Sequence, residues 1–119
     1  MSHILVIDDQ PHIGELLSED LAGEGHSVDC LGDANYVMAY LKEESRPDLI
    51  LLDLYLQGFE GWNLLHRIKS YDESLPVLIV SAYDSFVSDP RLAEADGYVV
   101  KSFDTNELKD KIHEKLAAS

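Results

Sequence analysis

The sequence predicts an α/β fold: a single doubly wound domain with a parallel sheet covered by helices on both faces. Five short runs predict it first. Ile4 to Ile7, Ser27 to Leu31, Leu49 to Leu52, Val77 to Val80 and Tyr98 to Val100 have strand length and a largely continuous apolar character, the mark of strands buried on both faces. Between them, apolar residues recur at helical spacing. Strand and helix alternate along the whole chain, and parallel neighbours need such crossovers.

Each element has its own warrant. The first strand, ILVI, ends in Asp8-Asp9, and Pro11 suits the first turn of a helix whose Ile13, Leu16, Leu17 and Leu21 share one face. Gly25 follows that helix and leads into SVDCL, the second strand. Asp33 can cap a second helix with Ala34, Val37, Met38 and Leu41 on its apolar face. The third strand lies in DLILLDLYLQGFEG, Asp48 to Gly61, where the apolar run stops on an acid, Asp53. Leu64, Leu65 and Ile68 mark the third helix, and VLIV, the fourth strand, ends in Ser81-Ala82. Asp84 to Ala95 is the weakest segment: Pro90 after Asp89 predicts a long loop, then a helix of little more than one turn. The fifth strand runs into Lys101. Asp104 with Glu107 resembles a capping box for a last helix carrying Leu108, Ile112 and Leu116.

Bulk composition narrows the function. A chain of 119 residues with 45% hydrophobic content fits one domain, residues 1–119, with a real core. Its net charge of -14, from 23 acids against 9 bases, opposes direct binding to nucleic acid or to an anionic membrane surface. The single cysteine, Cys30, cannot close an internal disulfide, which suits a reducing compartment and makes the cytoplasm the expected location. There is no apolar run of membrane-spanning length, no signal-peptide pattern, no repeat and no linker.

In a parallel sheet the carboxyl ends of the strands share one edge, where ligands bind. Asp8, Asp9, Asp53, Ser81 and Lys101 converge there. Singly, each has a plainer reading: Asp9 as a helix cap, Ser81 as a strand-end turn residue, Lys101 as an ordinary surface lysine. Together, clustered carboxylates repel and call for a cation. An all-oxygen donor set suits a hard ion, and Mg2+ retaining several waters fits a few carboxylates. Zinc has little support, because the histidines at 3, 12, 26, 66 and 113 fall in different segments without His-x-x-x-His spacing. The stretch Asp8-Asp9-Gln10-Pro11-His12 has no Gly-x-Gly-x-x-Gly, which removes the warrant for dinucleotide binding.

Asp8-Asp9, Asp53, Ser81-Ala82 and Lys101-Ser102-Phe103, taken together, resemble the receiver domain of two-component response regulators, of the CheY-like superfamily, over essentially the whole chain. The resemblance implies a flavodoxin-like, five-stranded sheet in order 2-1-3-4-5 flanked by five helices, the fourth of them short because the interval from Ser81 to Lys101 is reduced. It implies that Asp53 accepts a phosphoryl group from a histidine kinase or histidine phosphotransfer protein. Mg2+ would be held by Asp9, Asp53 and the Tyr55 carbonyl, with Asp8 acting through water; Lys101 and Ser81 would contact the phosphoryl oxygens. Ser81 and Tyr98 would be the switch pair, and Tyr55 and Tyr83 would flank the path of a hydrolytic water. The protein would then catalyse only its own phosphorylation and slow dephosphorylation, and signal to a downstream protein or output domain. As a sequence it reads as a stand-alone receiver or one excised from a longer regulator.

Two departures stand out: no proline follows the acceptor, where Gly58 and Gly61 supply flexibility, and the usual Lys-Pro is Lys101-Ser102. Other readings are weaker. A phosphatase of the haloacid-dehalogenase type needs a second acid where Asp53-Leu54-Tyr55 has tyrosine. A flavodoxin-like cofactor binder would be coloured. A pseudo-receiver that only binds partners would have little use for the intact acidic set.

Overall fold

In the computed structural model the five apolar runs pair into one parallel sheet, ordered β2-β1-β3-β6-β7. The elements are β1 (His3–Ile7), α1 (Pro11–Ala22), β2 (Ser27–Leu31), α2 (Val37–Glu43), β3 (Leu49–Leu52), β4 (Tyr55–Leu56), β5 (Phe59–Glu60), α3 (Gly61–Tyr71), β6 (Val77–Ser81), β7 (Gly97–Val100) and α4 (Asn106–Ala118). Counting only the strands of the main sheet, the order is the expected 2-1-3-4-5. The structure describes residues 2–8, 11–43, 46–56, 59–81, 88–100 and 106–118; within these, the side chains at 11–14, 16–17, 34, 55–56, 59–60 and 118 fall outside the description.

Strand alternation divides the interior into two halves. Leu5, Ile7, Ile50, Leu52, Val77 and Ile79 point to one face and pack with Val37 and Leu41 of α2 and Leu64, Leu65 and Ile68 of α3. Ile4, Val6, Leu49, Leu51, Leu78, Val80 and Val99 point to the other and pack with Leu21 of α1 and Leu108 and Ile112 of α4. The central strands β1, β3 and β6 are buried on both faces, which explains their unbroken apolar sequences.

The edge strand differs from expectation. The apolar run SVDCL predicts burial on both faces, yet among the described strands β2 pairs only with β1 and leaves Ser27, Asp29 and Cys30 exposed. The helix count is also corrected. Where a short fourth helix was expected, the structure has a 3-10 turn, Pro90–Glu94, so the described residues contain four α-helices. Asp89 does cap it, accepting from the Arg91 amide, but the Ala95 amide already closes back on Leu92 and Ala95 itself is extended. Five residues are too few to repay α-helix nucleation. Elsewhere α1 begins at Pro11, Gly25 takes a positive φ of 90° in the following turn, and the Asp33 side chain accepts from Asn35 at the entry to α2, while Asp104 of the expected capping box lies outside the described residues.

Polar ties gather at the amino ends of the strands. The Lys69 ammonium donates to the carbonyl of Leu75 at 2.8 Å and to the carboxylate of Asp96 at 2.6 Å. The same Asp96 oxygen accepts the Val77 amide, and the Asp96 amide returns a bond to Val77. This joins α3, the start of β6 and the start of β7. Across the sheet, the His3 amide donates to Asp48, the His3 ring lies 2.6 Å from the Tyr40 hydroxyl, and that hydroxyl donates to Asp29. No helix among the described residues is long and apolar enough to cross a membrane.

Arg46 donates to Asp72 at 2.8 Å, and the Ser74 hydroxyl and amide complete the carboxylate's shell. The Arg46 hydrogen bond, followed by those from Ser74, holds the Asp72 carboxyl below its ordinary range. A depressed folded-state pKa stabilises above the unfolded carboxyl value, near 3.9, and that gain is lost as pH falls through the folded value. Arg46→Ala should therefore cost up to about 1 kcal/mol at pH 7, modest because the pair is partly solvated. Urea unfolding at pH 7 and at successively lower pH should show the difference from wild type shrinking once pH drops below about 4.

Candidate functional site

β1 and β3 are neighbours in parallel register, with Ile7 opposite Leu52, so Asp8 and Asp53 leave the sheet side by side, about 4.8 Å apart at the backbone. Each acid is anchored through its own amide: Asp53 donates to the Ile7 carbonyl at 3.0 Å, and Asp8 to the Leu31 carbonyl at 3.1 Å. These bonds extend the ladder one step beyond the apolar run. Ser81 closes β6, the strand on the other side of β3, and pairs with Val100, the residue before Lys101.

Asp8, Asp53 and Ser81 are 8%, 6% and 0% exposed, and they are the buried polar residues among those described. All three stand at the carboxyl edge of the sheet. A core that elsewhere admits only apolar side chains has therefore concentrated its buried polarity at this one edge.

The chain beyond Asp53 is held as firmly as the strand before it. Leu54 is buried with the α2 and α3 residues, and Tyr55–Leu56 pairs antiparallel with Phe59–Glu60, a two-stranded ribbon that the sequence did not suggest. Gly61 then opens α3 directly against Leu54. Its amide donates to the Leu54 carbonyl, and a Cβ built at Gly61 would stand 2.5 Å from the Leu54 Cα. The sequence suggests Gly61 as a source of flexibility. It serves close backbone approach instead, which only the tertiary contact reveals.

Tyr98 is half-buried in β7 opposite Ile79, packed against the α2/α3 side of the core, on the sheet face that Ser81 shares by alternation. Asp9, Tyr83 and Lys101 and the side chain of Tyr55 lie outside the described residues, as does the Lys101-Ser102 peptide. The donor set that is described consists of two buried carboxylates and a hydroxyl, all oxygen. It fits a hard divalent cation such as Mg2+ and offers nothing to a thiophilic one.

A doubly wound sheet with paired acids at the carboxyl ends of neighbouring strands is the arrangement that a receiver domain of the response regulators is expected to have. A family model for the response regulator receiver domain matches residues 4–113, and the chain belongs to that family, a phosphoacceptor switch of two-component signal transduction. It is 34% identical over 109 residues to the probable transcriptional regulatory protein TcrX of Mycobacterium tuberculosis, covering 88% of this chain and 45% of that protein. It is 36% identical over 115 residues to the DNA-binding response regulator MtrA of Mycolicibacterium smegmatis, covering 95% and 50%. The chain thus spans about half the length of these curated relatives. Among solved structures, the response regulator TrrA of Thermotoga maritima in complex with Mg2+-BeF superposes with a TM-score of 0.89 at 34% identity, covering 97% of this chain and 99% of that one. The complex of histidine kinase ThkA with TrrA gives 0.88 at 34% identity, covering 98% and 99%.

Gly61→Ala should destabilise the fold by about 1–3 kcal/mol, the usual range for overpacking, because the new methyl meets backbone atoms that cannot rotate away. Denaturant unfolding checks the stability. Amide chemical shifts of Leu52 to Leu54 should move with it, and shifts confined to α3 would count against a link between Gly61 and the acidic edge.

Proposed function

We propose that residues 1–119 form one receiver unit in which Asp53 accepts a phosphoryl group from a histidine kinase or phosphotransfer protein. The observation that carries this reading is the burial of Asp8, Asp53 and Ser81 together at the carboxyl edge. A nucleophile there is rigidly placed, and rigidity is what in-line attack requires. A carboxylate oxygen of Asp53 attacks phosphorus as the phosphorus–nitrogen bond of the donor imidazole breaks; the electron pair stays on the departing nitrogen, and an acyl phosphate forms on Asp53.

The surrounding groups act on charge. The Ser81 hydroxyl donates a hydrogen bond to one phosphoryl oxygen, and the Lys101 ammonium pairs with another. Asp9, Asp53 and the Tyr55 carbonyl would hold Mg2+, with Asp8 contributing through water; the ion would supply neutralisation of the phosphoryl oxygens. The solved Mg2+-BeF complex of TrrA, a relative at 34% identity, supports this assignment. The protein works on itself rather than turning over a metabolite, in a cytoplasmic setting consistent with its free thiol at Cys30.

Drawing Ser81 toward the phosphoryl group opens space on the face that carries Tyr98, whose inward turn changes the outer surface of β7. The output passes to a partner protein or an output domain. With a net charge of -14 the receiver itself is a poor ligand for nucleic acid, even though MtrA, a relative of twice its length, is a DNA-binding response regulator.

With acetyl phosphate and Mg2+, intact-mass spectrometry should show one phosphoryl group on the wild type and none on Asp53→Asn, and excess EDTA should stop labelling of the wild type. Labelling of Asp53→Asn at the wild-type level would exclude Asp53 as the acceptor.

The acyl phosphate should also be long-lived for this family, because Tyr55 and Tyr83 offer no carboxylate or amide to orient an attacking water. Replacing Tyr55 with Asn and Tyr83 with Glu should speed decay while leaving the Mg2+ requirement intact. Unchanged decay of the double variant would show that the tyrosines do not guard the site.

A further inference from the structure

We propose that Glu24, His26 and His113 form a binding site for a divalent transition-metal ion of the Zn2+ class, clipping α4 to the turn between α1 and β2. The three side chains come from distant parts of the sequence, yet one ligand atom from each lies within 4.8 Å of the other two. His113 Nε2 is already 2.7 Å from a Glu24 carboxylate oxygen, and the rings of His26 and His113 are 6.2 Å apart at their centroids. Two imidazoles and a carboxylate are a common zinc donor set, with a fourth position left for water. The absence of a local His-x-x-x-His pattern gave no hint of it.

The turn presents its two donors in a fixed relation. The Glu24 and His26 amides both donate to the Leu21 carbonyl, the Gly25 amide donates to Ala22, and Gly25 takes the positive φ that lets the chain reverse. The His26 ring is half-buried, and its Nδ1 is shut off from solvent with no hydrogen-bond partner among the described residues.

Metal–ligand bonds of about 2.0–2.1 Å would set the donor atoms roughly 3.3 Å apart. Closing from the present spacing takes small side-chain rotations. Glu24 and His113 are free enough to make them, at 37% and 47% side-chain exposure. The ion would take the place of the direct contact between His113 Nε2 and the Glu24 carboxylate. Entry is open from the surface, and a protein of charge -14 attracts cations to it. This site lies where β2 begins, at the opposite edge of the sheet from Asp8 and Asp53, and it does not depend on the phosphoacceptor reading.

The test is calorimetric titration of Zn2+ into the full chain with Mg2+ in large excess, so that the hard-ion edge is already occupied. One equivalent should bind, with imidazole 15N resonances of His26 and His113 shifting and those of His3 and His66 staying in place. His113→Gln and Glu24→Gln, both at exposed positions and checked for folding by circular dichroism, should each weaken binding at least the roughly tenfold that loss of even an outer-shell partner costs. No Zn2+ uptake by the wild type, uptake that both variants leave unchanged, or uptake that shifts other histidines would overturn the site and leave only the direct contact between His113 and Glu24.

Discussion

Everything in this fold depends on β3 being unable to slide. Its four residues are enclosed by β1 on one side and β6 on the other, with Ile50 and Leu52 committed to one half of the core and Leu49 and Leu51 to the other. A slip of one residue would exchange every one of these contacts, so the register is set by both faces at once. Asp53 inherits that precision through a single ladder step. A carboxylate on a loop of ordinary freedom would be ordered only at further cost; at Asp53 that cost is met when the protein folds.

Legibility in the sequence followed burial. ILVI, LILL and VLIV are apolar throughout because those strands see no solvent on either face, and that continuity alone indicated a parallel sheet. SVDCL shares some of the apolar character but sits at an edge, where Asp29 and Cys30 meet water, a distinction that depends on strand order rather than on local sequence. Pro90 after Asp89 announced a helix of little more than one turn. It could not announce that the segment would be 3-10 rather than α, because that is set by how soon the chain must return to Asp96 and the sheet. The acids at the strand ends were legible as a group because topology gathers strand ends, whereas Gly61 and the pairing of His26 with His113 are products of tertiary approach and leave no periodic trace.

The two edges of the sheet are built to different ends. At the carboxyl edge the described residues place buried acids and a hydroxyl where charge must be managed. At the amino edge, charges and dipoles are matched locally: Lys69 with Asp96, the His3 amide with Asp48, and Tyr40 with Asp29. Lys69 shows the contrast most clearly, since its side chain is only 11% exposed yet its ammonium is spoken for by a carboxylate and a carbonyl.

The tie at Asp96 gives β7 a fulcrum. One carboxylate oxygen grips both the Lys69 ammonium and the Val77 amide immediately before the strand begins, and from there the chain runs through Tyr98 to Val100, next to Lys101. With that end pinned, a pull on the far end cannot translate the strand along the sheet. Its freedom therefore lies at the Val100 end, with Tyr98 close to the pinned start of the strand.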